Sequence, residues 1–96
     1  MRLTKKEIDA ITSTFKEIFE DGKIYLFGSR VDDSKKGGDI DLYIQIENKN
    51  NILEKKLNFL VNLKRKIGEQ KIDLVISKDI TRVIEQEALK KGIELW

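Results

Sequence analysis

Gly38-Asp39-Ile40-Asp41-Leu42-Tyr43-Ile44-Gln45-Ile46 changes character at every step. Successive side chains of an extended chain point to opposite faces. Ile40, Leu42, Ile44 and Ile46 therefore share one face, and Asp39, Asp41, Tyr43 and Gln45 share the other. Period-two alternation of this length predicts a strand with one face in a core. It also sets two carboxylates, Asp39 and Asp41, on the same face about 7 Å apart along the chain. Burial of Ile40 and Leu42 would hold both acids in place.

Upstream, Ile24-Tyr25-Leu26-Phe27 is a short apolar run closed by Gly28, as expected of a strand covered on both faces. Residues 28–38 are polar and bounded by glycine, which predicts a loop with a helical turn inside it. Downstream, Lys71-Ile72-Asp73-Leu74-Val75-Ile76 repeats the alternation and carries a third acid. Helices fill the rest. Thr4-Lys5-Lys6-Glu7 has the form of a capping box, followed at helical spacing by Ile8, Ile11, Phe15, Ile18 and Phe19, with Gly22 as the stop. Asn50 or Asn51 caps a second helix that buries Ile52, Leu53, Leu57, Leu60, Val61 and Ile67 and ends at Gly68. A third runs from about Ile80 to Lys91, with Ile80, Val83, Ile84 and Ala88 inward and Gly92 beyond its end. Ile93-Glu94-Leu95-Trp96 adds an edge strand.

This order predicts one α/β (α+β) domain over residues 1–96, a small sheet of three to four strands flanked by helices. The loop between the first two strands is too short for a crossover helix, so the sheet is expected to be mixed.

Composition narrows the chemistry. The 96 residues include no Cys and no His, which removes disulfides, thiol nucleophiles, histidine bases and the usual zinc ligands. Any catalytic metal would be held by oxygen, pointing to magnesium, manganese or calcium. Lys+Arg is 19 and Asp+Glu is 17, a net +2 with the signs interspersed, so neither direct nucleic-acid binding nor an anionic membrane is expected. No apolar run reaches the ~18 residues of a membrane span, and a cytoplasmic protein is expected. The elements consume nearly the whole chain. A cleft for a second substrate would have to be completed from outside.

Taken singly, each polar feature has a plain reading: Gly28-Ser29 is a turn, Asp39 and Asp41 a solvated strand face, Lys35 and Lys36 part of a flexible loop. Together they make the parts of a triphosphate site. Glycine after a strand lets backbone approach a ligand, and the following turn can aim N–H groups and the Ser29 hydroxyl at phosphate. Arg30, Lys35 and Lys36 supply cations. Three acids sharing one face repel without a cation, and paired magnesium ions about 3.5–4 Å apart are a common device for in-line displacement at phosphorus.

Phe27-Gly28-Ser29, the spacer 30–38, then Asp39-Ile40-Asp41-Leu42 resembles the signature of the DNA polymerase β-type nucleotidyltransferase superfamily, with Asp73 in place of its later third acid. Gly28-Ser29-Arg30 and Gly38-Asp39-Ile40-Asp41-Leu42 look most like the small stand-alone minimal nucleotidyltransferases (MNT). The likeness covers essentially the whole chain. It departs at Val31-Asp32-Asp33-Ser34, where a second Arg-Gly step is common, and at Gly38, where Ser is common.

The resemblance implies a polymerase β-like core and a metal-dependent enzyme. Asp39, Asp41 and Asp73 would be its catalytic and metal-holding acids, with two Mg2+ ions, or Mn2+ in their place. Gly28, Ser29 and Arg30 would grip the nucleoside triphosphate, ATP in the first instance. It further implies an antitoxin that adds AMP to a tyrosine of a helical HEPN-type toxin; by its small size the chain would have its catalytic face completed by such a partner or by a second copy. Two other readings remain open: a non-catalytic antitoxin that neutralises by covering its partner, and a catalytic subunit that modifies a small molecule beside a separate substrate-binding chain.

Overall fold

The computed structural model describes residues 1–32 and 38–96. The elements run α1 (Lys5–Ile18), β1 (Lys23–Phe27), a 3-10 turn (Gly28–Val31), β2 (Ile40–Gln45), α2 (Ile52–Ile67), β3 (Ile72–Ile76), α3 (Val83–Lys91) and β4 (Ile93–Glu94). The sheet has four strands in the order β3-β2-β1-β4. β1 is antiparallel to β2 and to β4, and β2 is parallel to β3. The sheet is thus mixed, as the short β1–β2 loop requires, and the fold is α+β.

The alternation in β2 is realised in full. Ile40, Leu42 and Ile44 are completely buried, together with Ile11, Phe15, Ile24, Leu26, Phe59 and Leu63, between the sheet and the pair α1/α2. The opposite face of the sheet is half covered. α3 packs there on Phe27 and Tyr43 through Ala88, leaving the end of the sheet that carries the acids open. Burying that apolar set, at roughly 25 cal/mol per Å², is what holds β2 central.

The Thr4–Glu7 capping box is present: the Glu7 N–H donates to Thr4 Oγ1 at 3.1 Å and the Thr4 N–H to Glu7 Oε1 at 2.9 Å. Other expectations are corrected. α1 stops at Ile18, where the Phe19 N–H bonds the Phe15 carbonyl at 2.8 Å; Gly22 instead leads into β1 with φ +102°, against Gln45 and Ile46. Asn51 occupies the N-cap of α2 in the left-handed region and makes no side-chain cap bond, a conformation Asn tolerates. In α2 the fully buried side chains are Phe59 and Leu63, whereas Leu53, Leu57 and Val61 are exposed. The apolar residues occupy more of the helix circumference than the sheet and α1 can cover.

α3 begins at Val83, not Ile80, and Ile80, Val83 and Ile84 are exposed. The inward place before Ala88 belongs to Glu85, whose carboxylate is fully buried. It accepts bonds from the Tyr43 hydroxyl at 2.8 Å, the Asp79 and Lys78 N–H groups at 2.8 and 3.0 Å, and Arg82 Nη1 at 3.3 Å. A charge so satisfied can be buried where an unpaired one cannot. Among the described residues no helix is long and apolar enough to cross a membrane.

Candidate active site

Three chain segments meet at the open end of the sheet: the exit of β1, the entry of β2 and the entry of β3. The ladders fix their relation. Phe27 pairs with Asp41 across β1–β2, and Asp41 pairs with Asp73 across β2–β3. Paired residues in a sheet point to the same face, so the Asp41 and Asp73 carboxylates stand side by side on strands about 4.8 Å apart. Asp39 lies just before β2, near enough for its charge to act on Asp41.

The electrostatics follow from this crowding. Asp41 is held above the ordinary carboxylate range, first by burial, then by the charges of Asp73 and Asp39 and by a hydrogen bond with Asp73. Lys71 opposes the effect. Its ammonium lies 3.3 Å from Asp39 Oδ2 and is itself pushed up, first by that hydrogen bond and the charge of Asp39, then by Asp73. The pairing is largely solvent-exposed, so it is readily exchanged. Lys71 was not singled out from the sequence. Its signal was available: on a strand, Lys71 shares the face of Asp73 two residues on.

Gly28 opens the turn after β1 with φ +76°. A Cβ there would overlap the Asp41 carboxylate. Two separate demands, a left-handed backbone and room beside an acid, therefore exclude any side chain at this position. The backbone of the 3-10 turn continues through Ser29, Arg30 and Val31. The Ser29 hydroxyl, Lys35 and Lys36, each expected to face phosphate, lie outside what the structure describes.

Arg30 is bonded within the protein by its whole guanidinium. Its Nη1 donates to the Arg2 carbonyl at 2.9 Å, Nε to the Gly38 carbonyl at 3.3 Å, and Nη2 to Gln70 Oε1 at 3.4 Å. Gln70 in turn donates to Glu7 Oε2 at 2.9 Å. The guanidinium fastens the N-terminal segment, the last residue before Asp39 and the entry to β3 to one point. A planar group with five fixed donors suits such a clamp.

Oxygen ligands on one face suit a hard divalent cation, and the mutual repulsion at Asp41 is what such a cation would relieve. Among the described residues no group of three His, Cys, Asp or Glu side chains is gathered as closely as a metal centre requires. Asp41 and Asp73 are adjacent, while Asp39 is drawn to Lys71. To join them around a metal, Asp39 would exchange its lysine partner.

Residues 6–96 match the protein family described as "Polymerase beta, Nucleotidyltransferase". No match was found among curated proteins. Among solved structures, the chain is similar to a crystal structure of a mutant toxin–antitoxin MntA–HpeT. The TM-score is 0.68 at 20% identity, over 93% of this chain and 71% of that one. At this identity the likeness speaks for the fold.

Proposed function

The chain belongs to the polymerase β nucleotidyltransferase family, and from that premise we propose that it transfers a nucleoside monophosphate, AMP from ATP, to a hydroxyl on a partner protein. The single observation that supports the chemistry is the register that sets Asp41 beside Asp73 and opposite the exit of β1, where Gly28 leaves room.

In this reading the triphosphate lies on the Gly28–Val31 turn, whose backbone N–H groups face its oxygens. Asp39 and Asp41, with Asp73, would hold Mg2+, which when bound would supply charge neutralisation of the phosphates and a more electrophilic α-phosphorus. Asp73 is the most exposed of the three acids and stands nearest an incoming acceptor. It orients the hydroxyl and takes its proton. The hydroxyl oxygen forms a bond to the α-phosphorus, the bond to the β-phosphate oxygen breaks, and pyrophosphate leaves. The phosphodiester product carries one nucleotide. Positioning and charge stabilisation suffice, without a covalent enzyme intermediate.

The similarity to a toxin–antitoxin complex supports a protein partner and an antitoxin role; in this reading that partner is a helical HEPN-type toxin and carries the acceptor hydroxyl. Added AMP would place charge and bulk on such a toxin. The test is intact mass spectrometry of the co-purified partner after incubation with ATP and magnesium. A gain of AMP that is absent with Asp39→Ala supports transfer. A partner that stays unmodified yet is neutralised would assign the non-catalytic reading instead. Labelled small hydroxyl compounds tested in parallel separate protein from small-molecule acceptors.

A further inference from the structure

Leu53, Leu57 and Val61 recur every four residues on α2 and are 79, 61 and 46% exposed. That spacing keeps them on one face, over about 12 Å of helix axis. They do not face α1. Lys66, nine residues beyond Leu57 and therefore about 180° around the helix, bonds Glu17 at 3.0 Å and Ser13 at 3.2 Å on α1. The apolar stripe looks the other way: at its start Leu53 borders the groove against β3, and Leu57 and Val61 continue it along the exposed face of α2.

β3 is the edge of the sheet. Between it and the start of α2 lies an open groove of about 550 Å³, with Leu53, Leu74 and Ile76 among its walls. Lys49, Lys56, Lys78 and Arg82 rim it, and no acid lines it among the described residues. Arg82 is engaged by Glu85, but Lys56 and Lys78 have no acidic partner among the described residues.

We propose that this groove docks an amphipathic helix of a partner protein, apolar on one face and flanked by Asp and Glu. The apolar stripe is two helical turns long, which a helix laid alongside α2 would cover. The uncompensated cations choose the sign of its flanks. A second copy is disfavoured, because a twofold pairing through this face would bring the same lysines together. β3 carries both Asp73 and the groove wall. At about 3.3 Å per residue, Ile76 is roughly 10 Å along the strand from Asp73, so a partner held here sits on the same edge strand as that acid, one sheet face away. This rests on the reading that the acceptor is a protein.

The probe is a fluorescent helical peptide with leucines at i, i+4, i+7 and i+11 and glutamates on its flanks. Its control carries lysines in place of the glutamates. Anisotropy should show the acidic peptide binding at least ten-fold more tightly than the control, and more weakly as salt rises. Leu53→Ser with Leu57→Ser, and separately Lys56→Glu with Lys78→Glu, should each weaken it ten-fold or more. Leu53, Leu57 and Lys78 are exposed and Lys56 half-buried, and unaltered melting and Mg-ATP binding would confirm that the fold is intact. Equal binding of the two peptides, no binding of either, or affinity indifferent to the substitutions overturns the proposal. So does a dimer in sedimentation that Leu57→Ser dissolves. Mg-ATP binding without peptide binding sinks the docking site alone; peptide binding without Mg-ATP binding sinks the enzymatic reading alone.

Discussion

Asp41 and Asp73 stand opposite each other in the parallel β2–β3 ladder, and the charge of Asp73 raises the cost of ionising Asp41. Neither strand can shift to relieve this, because a one-residue slip would turn Ile40, Leu42, Ile72 and Leu74 out of the core. The repulsion is locked in by burial elsewhere.

Asp41→Asn should therefore raise the melting temperature measured in EDTA while removing transfer. The substitution takes a repelled charge from the site and leaves the core untouched. Loss of metal ligation should cost on the order of a thousand-fold or more in turnover. Full activity with unchanged melting would take Asp41 out of the mechanism.

ATP binding should require a divalent cation. A triphosphate brought to Asp39, Asp41 and Asp73 without one meets like charge at short range. Calorimetry with magnesium and then with EDTA is the check; equal affinities would mean that the phosphates are held elsewhere. Manganese should substitute, since the ligands are all oxygen.

Gly28→Ala should both destabilise the fold and impair nucleotide binding. The left-handed backbone alone costs a non-glycine residue about 1–2 kcal/mol, and the new methyl group collides with Asp41. Thermal melting and Mg-ATP titration should fall together. A variant that melts normally and binds normally would remove Gly28 from the site.

Arg30→Ala should act as a structural substitution rather than the loss of a phosphate ligand. Three hydrogen bonds tie Arg30 to Arg2, Gly38 and Gln70. Their loss should lower stability by about 1–2 kcal/mol in a denaturant titration. Arg30→Lys should restore little, since a lysine cannot span three acceptors in one plane. If Lys restores nucleotide affinity fully, the charge alone matters and the clamp does not.

Glu85 should govern acid stability. Burial alone pushes its carboxyl up, but the Asp79 N–H, the Tyr43 hydroxyl, the Lys78 N–H and Arg82 together hold it below the ordinary range. A carboxylate whose folded value is depressed adds stability above its unfolded value, and loses it as pH falls through the folded one. The contribution should thus be complete at neutral pH and fade below about pH 4. Glu85→Gln should cost about 1–3 kcal/mol at pH 7 and flatten the acid limb of a stability–pH curve. An unchanged acid limb would show that other carboxylates set it.

Much of this was readable along the chain. The alternation in residues 39–46 identified β2 and the polar face on which Asp41 stands, because side-chain direction in a strand is a local property. The Thr4–Glu7 box is likewise complete within four residues. Apolar periodicity also found α2 and α3, but it could not say which flank is covered. That depends on the sheet order, which puts β3 at an edge and leaves Leu53, Leu57 and Val61 with no layer above them. Glu85 took the inward place expected of Ile84 because donors 3 to 42 residues away in sequence converge on it. Arg30 was legible as a cation near a phosphate turn; its partners, 8, 28 and 40 residues away, were not. Register itself belongs to this second class. The sequence determines that Asp41 and Asp73 each sit on a polar strand face, through local alternation. Only tertiary packing decides that they face each other, because strand pairing is set by the non-local burial of the opposite face.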